Sequence, residues 1–220
     1  MPATKPPYAA VTRRYRGAGR FIHGYVACKL RMDPVHRDVL ALAAKAPFGR
    51  VLDVGCGRAQ LDLLLLEAGL AASALGLDVN AAALAAARTA GAGLPFEARM
   101  HDLALDAPLP KADTVLLIDV LYQLRAADQD ALLAKATKAA GRTVVVRTFD
   151  PTQGLRSRFT RGLEVLGRRF WPTSGSHVQP RPIENAAAAL ERAGFAVRVR
   201  PCQEGTPFAN VLLVGRRRDV

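Results

Sequence analysis

The sequence has little cysteine, few aromatics and too little acid to balance its base. Three cysteines (Cys28, Cys56, Cys202) stand in 220 residues, an odd number with no Cys-x-x-Cys spacing. That excludes a disulfide framework and a cysteine-rich zinc site. Aromatic residues are 6% of the chain, with one tryptophan, so platforms for stacking unpaired bases are scarce. No apolar run approaches the roughly 18–20 residues that span a bilayer. The basic N-terminal stretch MPATKPPYAAVTRRYRG is not followed by an apolar segment, so no secretory leader is read. The four histidines are scattered (His23, His36, His101, His177), and no metal site is expected. The expectation is a soluble, reduced, cytoplasmic protein.

The shortage of acid leaves a formal charge of +12, unevenly placed. The balance is +8 over residues 1–50, −3 over 51–146 and +7 over 147–220. A basic surface attracts nucleic acid, anionic lipid or an acidic protein, and a solvated arginine-rich surface would read the same way. Half of the residues are hydrophobic. A chain of this length is expected to form one domain, burying roughly 70% of its unfolded surface.

The hydrophobic pattern changes character along the chain. Residues 1–16 read as a Pro-containing basic arm with a poorly ordered start. Phe21, Tyr25, Cys28 and Leu30, then Val35, Val39, Leu42 and Ala46, recur at helical spacing. Between them Asp33-Pro34 reads as an N-cap followed by proline at the first helical position. From Arg50 onward short apolar runs (50–54, 74–78, 95–100, 112–118, 142–147, 195–200, 210–214) alternate with helical stretches (to Leu70, 80–90, 128–140, 184–193). Alternation of this kind predicts βαβ units and a mainly parallel sheet. The organisation expected is a basic arm with helices over 1–46 and one α/β domain over 47–220. Residues 148–182 form an insertion with six arginines and Trp171. An insertion at that edge of a parallel sheet is where ligands bind.

The most informative segment is Val51-Leu-Asp-Val-Gly-Cys-Gly-Arg-Ala59, a strand entering a glycine turn before a helix. Glycines let backbone approach a ligand, and the helix start offers unpaired N–H groups. A dinucleotide fingerprint would need glycine at position 60, which is Gln60, and would tolerate Asp53 poorly beside a pyrophosphate. A cationic or zwitterionic ligand fits better.

This segment resembles the first motif of the class I S-adenosylmethionine-dependent methyltransferases, apart from Ala59 in place of the last glycine; alanine fits there if its backbone angle is ordinary. The resemblance covers roughly residues 48–147, with 184–215 in the expected order. It implies a Rossmann-like sheet, mostly parallel with the last strand antiparallel, and S-adenosylmethionine as cofactor. It implies that Asp53 organises the methionyl end over Gly55 and Gly57. Gly76-Leu-Asp-Val79 supplies Asp78 for the ribose hydroxyls, which suit one carboxylate, with Val79 beside it. Met100-His-Asp-Leu103 places Asp102 and Leu103 at the adenine. Leu117-Ile-Asp-Val-Leu-Tyr122 is similar to the fourth motif, putting Asp119 by the cofactor and the methyl.

Candidates near the transferred methyl are Asp119, Tyr122, Arg147, Asp150 and His177. Asp119 and Tyr122 have the positional argument, and His177 could deprotonate a phenol or enol. The Asn/Asp-Pro-Pro-Tyr/Phe signature of nucleic-acid amino methylation is absent. The N-terminal helices, with Tyr15, Phe21 and Tyr25, are candidates for a lid. Segments outside the core, among them Arg14-Tyr-Arg16, Trp171-Pro-Thr-Ser-Gly175 and Gly205-Thr-Pro-Phe-Ala-Asn210, look like accessory methyltransferases of bacterial type II fatty-acid-like pathways that make aryl polyene pigments. That resemblance implies a small aromatic or acyl substrate, including one tethered to an acidic acyl carrier protein. Two alternatives stand beside it: an RNA methyltransferase using the basic arm and insertion, and a non-catalytic cofactor-binding scaffold.

Overall fold

A computed structural model describes residues 7–102, 107–154, 157, 162 and 178–218. The chain divides into two compact units, Met1–Asp102 and Leu103–Val220.

In the first unit the presumed arm is helical. Helix α1 (Tyr8–Arg14) runs into a 3₁₀ turn at Tyr15–Ala18. Val11 and Tyr15 are fully buried, so apolar anchors four residues apart override the proline and arginine content around them. Helix α2 (Arg20–Met32) and helix α3 (Pro34–Lys45) meet at Asp33. Its side chain accepts from Val35 N and Pro34 fills the first helical position, as expected. Such a cap stabilises a helix by about 1 kcal/mol.

Strand β1 (Arg50–Val54) leads through the glycine turn to helix α4 (Gln60–Glu67), which is buried nearly all round. Strand β2 (Ser73–Asp78), helix α5 (Ala81–Gly91) and strand β3 (Phe96–Met100) follow. β1 pairs with β2 and β2 with β3, all parallel. Asn80 caps α5 by accepting from Ala83 N at 3.0 Å. Glycine is required at the far end of α5, where a Cβ on Gly91 would lie 2.3 Å from the Phe96 ring.

The second unit contains strand β4 (Ala112–Ile118), a 3₁₀ turn (Leu121–Gln123), helix α6 (Ala126–Ala139) and strand β5 (Ala140–Phe149). Helix α7 (Ile183–Arg192) and strands β6 (Phe195–Pro201) and β7 (Asn210–Arg217) complete the described elements. β4 and β5 are parallel, whereas β7 runs antiparallel to both β5 and β6. Valines 144–146 of β5 are fully buried, the continuous apolar run of a strand covered on both faces. α7 buries Ile183, Ala186 and Leu190, and Leu190 reaches within 3.5 Å of the space beside Gly215 on β7. The order β3-β2-β1 in the first unit and β4-β5-β7-β6 in the second is that of a Rossmann-like, mostly parallel sheet.

Candidate functional site

Three left-handed residues shape the turn after β1: Gly55 (φ 82°), Gly57 (φ 55°) and Ala59 (φ 58°). The alanine therefore does not sit in ordinary backbone, as the sequence reading required. Left-handed backbone costs a non-glycine residue about 1–2 kcal/mol. The fully buried Ala59 methyl, packed with Cys56, Leu84, Ala87 and Ala98, offsets part of that strain. The turn is fastened to β2: Gly55 N and Cys56 N both donate to Leu77 O, at 2.7 and 3.0 Å. Asp78 completes the fastening, accepting from Gly57 N at 2.7 Å through Oδ2 and from Asn80 N at 2.8 Å through Oδ1. Each of its oxygens keeps lone-pair capacity for a further donor. Val79 is exposed, His101 N donates to the Asp78 backbone carbonyl, and Asp102 lies exposed just beyond β3.

Asp53 is 3% exposed on β1, opposite Gly76 in the parallel register. The space a Cβ on Gly76 would fill is taken by Cys56 Sγ at 2.6 Å and the Asp62 carboxyl at 3.6 Å. Asp62, in the first turn of α4, is fully buried. Its carboxyl lies within hydrogen-bond reach of that of Asp53, so a proton on one is shared with the other. Apart from that shared proton, Asp53 Oδ1 and both Asp62 oxygens have no hydrogen-bond partner. Desolvation pushes the Asp53 carboxyl up to about 7; the bond from Asp62 pulls it down and the Asp78 charge pushes it up. Asp62 is raised well above the usual carboxylate range, by burial first and then by Asp53. The Cys56 thiol is also raised, by burial and these acids, so it is no nucleophile. The sequence reading missed Asp62, although an acid set among leucines in Leu61-Asp-Leu-Leu-Leu-Leu66 was a signal.

The N-terminal helices clasp this turn. The fully buried Tyr15 hydroxyl donates to Arg58 O, and the Arg58 guanidinium lies 4.7 Å from the Tyr25 ring centroid. Arg14 pairs with Glu67 of α4 and donates to Ala90 O and Ala92 O at the end of α5. Of the three proposed lid aromatics, Phe21 is instead 66% exposed.

In the second unit Asp119 follows β4 with φ 59°, an uncommon backbone for a non-glycine residue. Its N–H donates to Arg147 O at 3.1 Å, and its Oδ2 accepts from Arg147 Nη1 at 3.0 Å. Arg147 is buried in β5, a guanidinium held in an apolar strand by this carboxylate. Gln123 Nε2 donates to Asp119 O at 2.6 Å, holding the strained residue from its other side. Tyr122 is buried with its ring edge-on to Phe149, centroids 5.0 Å apart, and Ala209 and Val178 pack on the pair. Asp150 is an acceptor in a local turn, taking bonds from Thr152 N, Thr152 Oγ1 and Gln153 Nε2. Burial raises its pKa, but these bonds outweigh burial and leave it below the ordinary value. Asp150 is thereby a turn former rather than a base. His177, Leu103 and Trp171 lie outside the described residues. Among the described residues no helix is long and apolar enough to cross a membrane, and no His/Cys/Asp/Glu group could hold a metal.

A methyltransferase-domain family matches residues 23–199. The chain belongs to that family. No curated protein matches it by sequence. Among solved structures it is similar to magnesium protoporphyrin IX methyltransferase from Synechocystis PCC 6803 with bound SAH (S-adenosylhomocysteine), at 20% identity, TM-score 0.62 and 96% of both chains. The N-methyltransferase NodS from Bradyrhizobium japonicum WM9, also with SAH, matches at 15% identity and TM-score 0.63, over 98% of this chain and all of that one. An O-methyltransferase family protein from Burkholderia thailandensis matches at 18% identity and TM-score 0.65, over 96% of this chain and 67% of that one. The protein is thus a class I S-adenosylmethionine-dependent methyltransferase. Its first unit fits that cofactor chemically: a carboxylate at the rim of the glycine turn, still slightly exposed, suits an ammonium, and a tethered aspartate with spare acceptor capacity suits vicinal hydroxyls.

Proposed function

We propose that this methyltransferase acts on a small aromatic or acyl acceptor. The observation that carries the reading is the quarter-exposed Asp119 carboxylate, held by the buried Arg147 at the end of β4 and backed by the apolar core of Tyr122, Phe149, Ala209 and Val178. One anchored carboxylate in apolar surroundings suits a flat apolar group with one polar atom to be aligned better than a run of phosphates does. A structural relative named for a porphyrin, a small aromatic macrocycle, supports the same class.

The cofactor supplies an electrophilic methyl on a sulfonium, and methyl transfer is an in-line displacement governed by positioning. Asp53 takes the cationic amino-acid end, with Gly55 and Gly57 giving backbone room beneath it. Asp78 takes the ribose hydroxyls beside Val79, and Asp102 with Leu103 takes the adenine edge. Asp119 serves the cofactor and, with Tyr122, orients the acceptor; His177 is the candidate base. The exposed arginines 13, 16, 20 and 31 add positive charge to the surface of the N-terminal segment, Arg37 being paired with Asp38. That charge suits an acidic acyl carrier protein delivering the acceptor.

Methyl-labelled S-adenosylmethionine incubated with the protein and fractionated extract tests the reading. Label is expected in the small-molecule or carrier-protein fraction. Label in RNA would overturn it in favour of an RNA methyltransferase, and cofactor binding with no label in any fraction would leave a non-catalytic scaffold.

A further inference from the structure

Two carboxyls in contact and out of water cannot both be ionised, because neither charge has solvent or a counter-ion to hold it. One must carry a proton, and the environment decides which. Asp53 sits at the end of a strand and keeps 3% exposure, although its Oδ1 is enclosed and lacks a donor. Asp62 is fully enclosed in the first turn of α4, and both its oxygens lack a partner other than Asp53. The proton therefore belongs to Asp62, the more enclosed carboxyl, and Asp53 keeps the charge. The ionisable groups around the pair are Asp78, whose charge disfavours a second one on Asp53, and the Cys56 thiol and Tyr15, both kept neutral by burial and these acids, with Arg58 acting on Tyr15. Tyr15 is itself held neutral by burial and by the neighbouring acid.

We infer that Asp62 is a positioning residue for the cofactor: it stays a neutral acid, donates its hydrogen bond to the Asp53 carboxylate, and so presents one oriented negative charge to the ammonium of the methionyl end. The inference rests on the assignment of Asp53 to that end. It gives Asp62 a part distinct from a negatively charged ligand, since the acid acts only through its proton. The donated bond also draws Asp53 down from where burial alone would leave it, so more of it is ionised at neutral pH. Asparagine can replace a neutral acid in that part because its amide donates in the same place; leucine cannot.

The test compares wild type, Asp62→Asn and Asp62→Leu by calorimetric binding of S-adenosylhomocysteine and of 5′-methylthioadenosine across pH 5.5–8.5. The second probe has the adenosine but no ammonium. For wild type, affinity for the first probe should climb with pH toward a plateau above about 7, whereas affinity for the second should stay flat. Asp62→Asn should keep the wild-type profile. Asp62→Leu should weaken the first probe roughly tenfold at pH 7 and move its midpoint to higher pH, leaving the second probe unchanged. Equal losses in both variants, or an unmoved midpoint in Asp62→Leu, would overturn the inference. Failure of wild type to bind either probe would instead strike the cofactor-site assignment. Should the leucine variant not fold, carboxyl ¹³C NMR of wild type decides: Asp62 must stay protonated through pH 7 while Asp53 titrates, and the reverse order refutes the inference.

Discussion

Replacing Asp53 by asparagine should make the ligand-free protein's stability less sensitive to pH, by an amount the structure sets. Burial holds the Asp53 carboxyl at about 7 against 3.8 for an ordinary aspartate. The native state thus binds this proton more tightly than the unfolded chain does, and stability must fall as pH rises. The stabilising contribution is complete below about pH 4, drains away between there and pH 7, and is absent above. About three pKa units correspond to about 4 kcal/mol in total. Somewhat more than half of that, about 2–3 kcal/mol, falls between pH 5 and pH 8, because at pH 5 an unfolded aspartate is already mostly ionised. Urea unfolding of wild type and Asp53→Asn at those two pH values, at fixed ionic strength, compares the two, with Asp62 kept protonated in both chiefly by its own burial. The wild type should lose about 2–3 kcal/mol more than the variant. Parallel losses would refute the burial of an ionisable Asp53.

Three further outcomes are expected. Asp78→Ala removes the acceptor of Gly57 N and Asn80 N as well as the proposed ribose ligand, and charged hydrogen bonds contribute about 1.5–3 kcal/mol each; calorimetry should show S-adenosylhomocysteine affinity reduced at least tenfold, and unchanged affinity would remove Asp78 from the site. Gly76→Ala drives a methyl to 2.6 Å from Cys56 Sγ and should destabilise by about 1–3 kcal/mol, with Cys56→Ala restoring part of it in the double variant, as thermal melting would register. Arg147→Met leaves the Asp119 carboxylate, itself a quarter exposed, without its guanidinium; denaturant unfolding should show a loss of about 1–3 kcal/mol, smaller than for a fully enclosed pair.

The glycine turn and the acids at successive strand ends were legible because each is a local pattern: strand, glycines, acid, then helix. Alternation of short apolar runs with helical ones was equally legible, and Ala112–Ile118 appears with the expected bounds. Asp62 was not, since its importance lies in contact with a residue nine positions earlier, across the turn, that no helical or strand period marks. Ala59 was misjudged for a related reason: identity reports which residue stands in a turn but not the sign of its φ. The helix at Tyr8–Arg14 was hidden by prolines and arginines, because its stability comes from Val11 and Tyr15 docking on parts of the chain far away in sequence.

That docking has a consequence for the order in which the protein is made. Arg14 and Tyr15 leave the ribosome early, yet their partners are Arg58, Glu67, Ala90 and Ala92, up to 78 residues later. The first helix must therefore wait, without its anchors, until the end of α5 has emerged. Only then can the cofactor turn be clamped from outside, and every group in the clamp has been synthesised before the first residue of β4. A nascent chain long enough for the end of α5 to have left the ribosome should protect Tyr15 from solvent, whereas one halted with α5 still inside should leave it exposed.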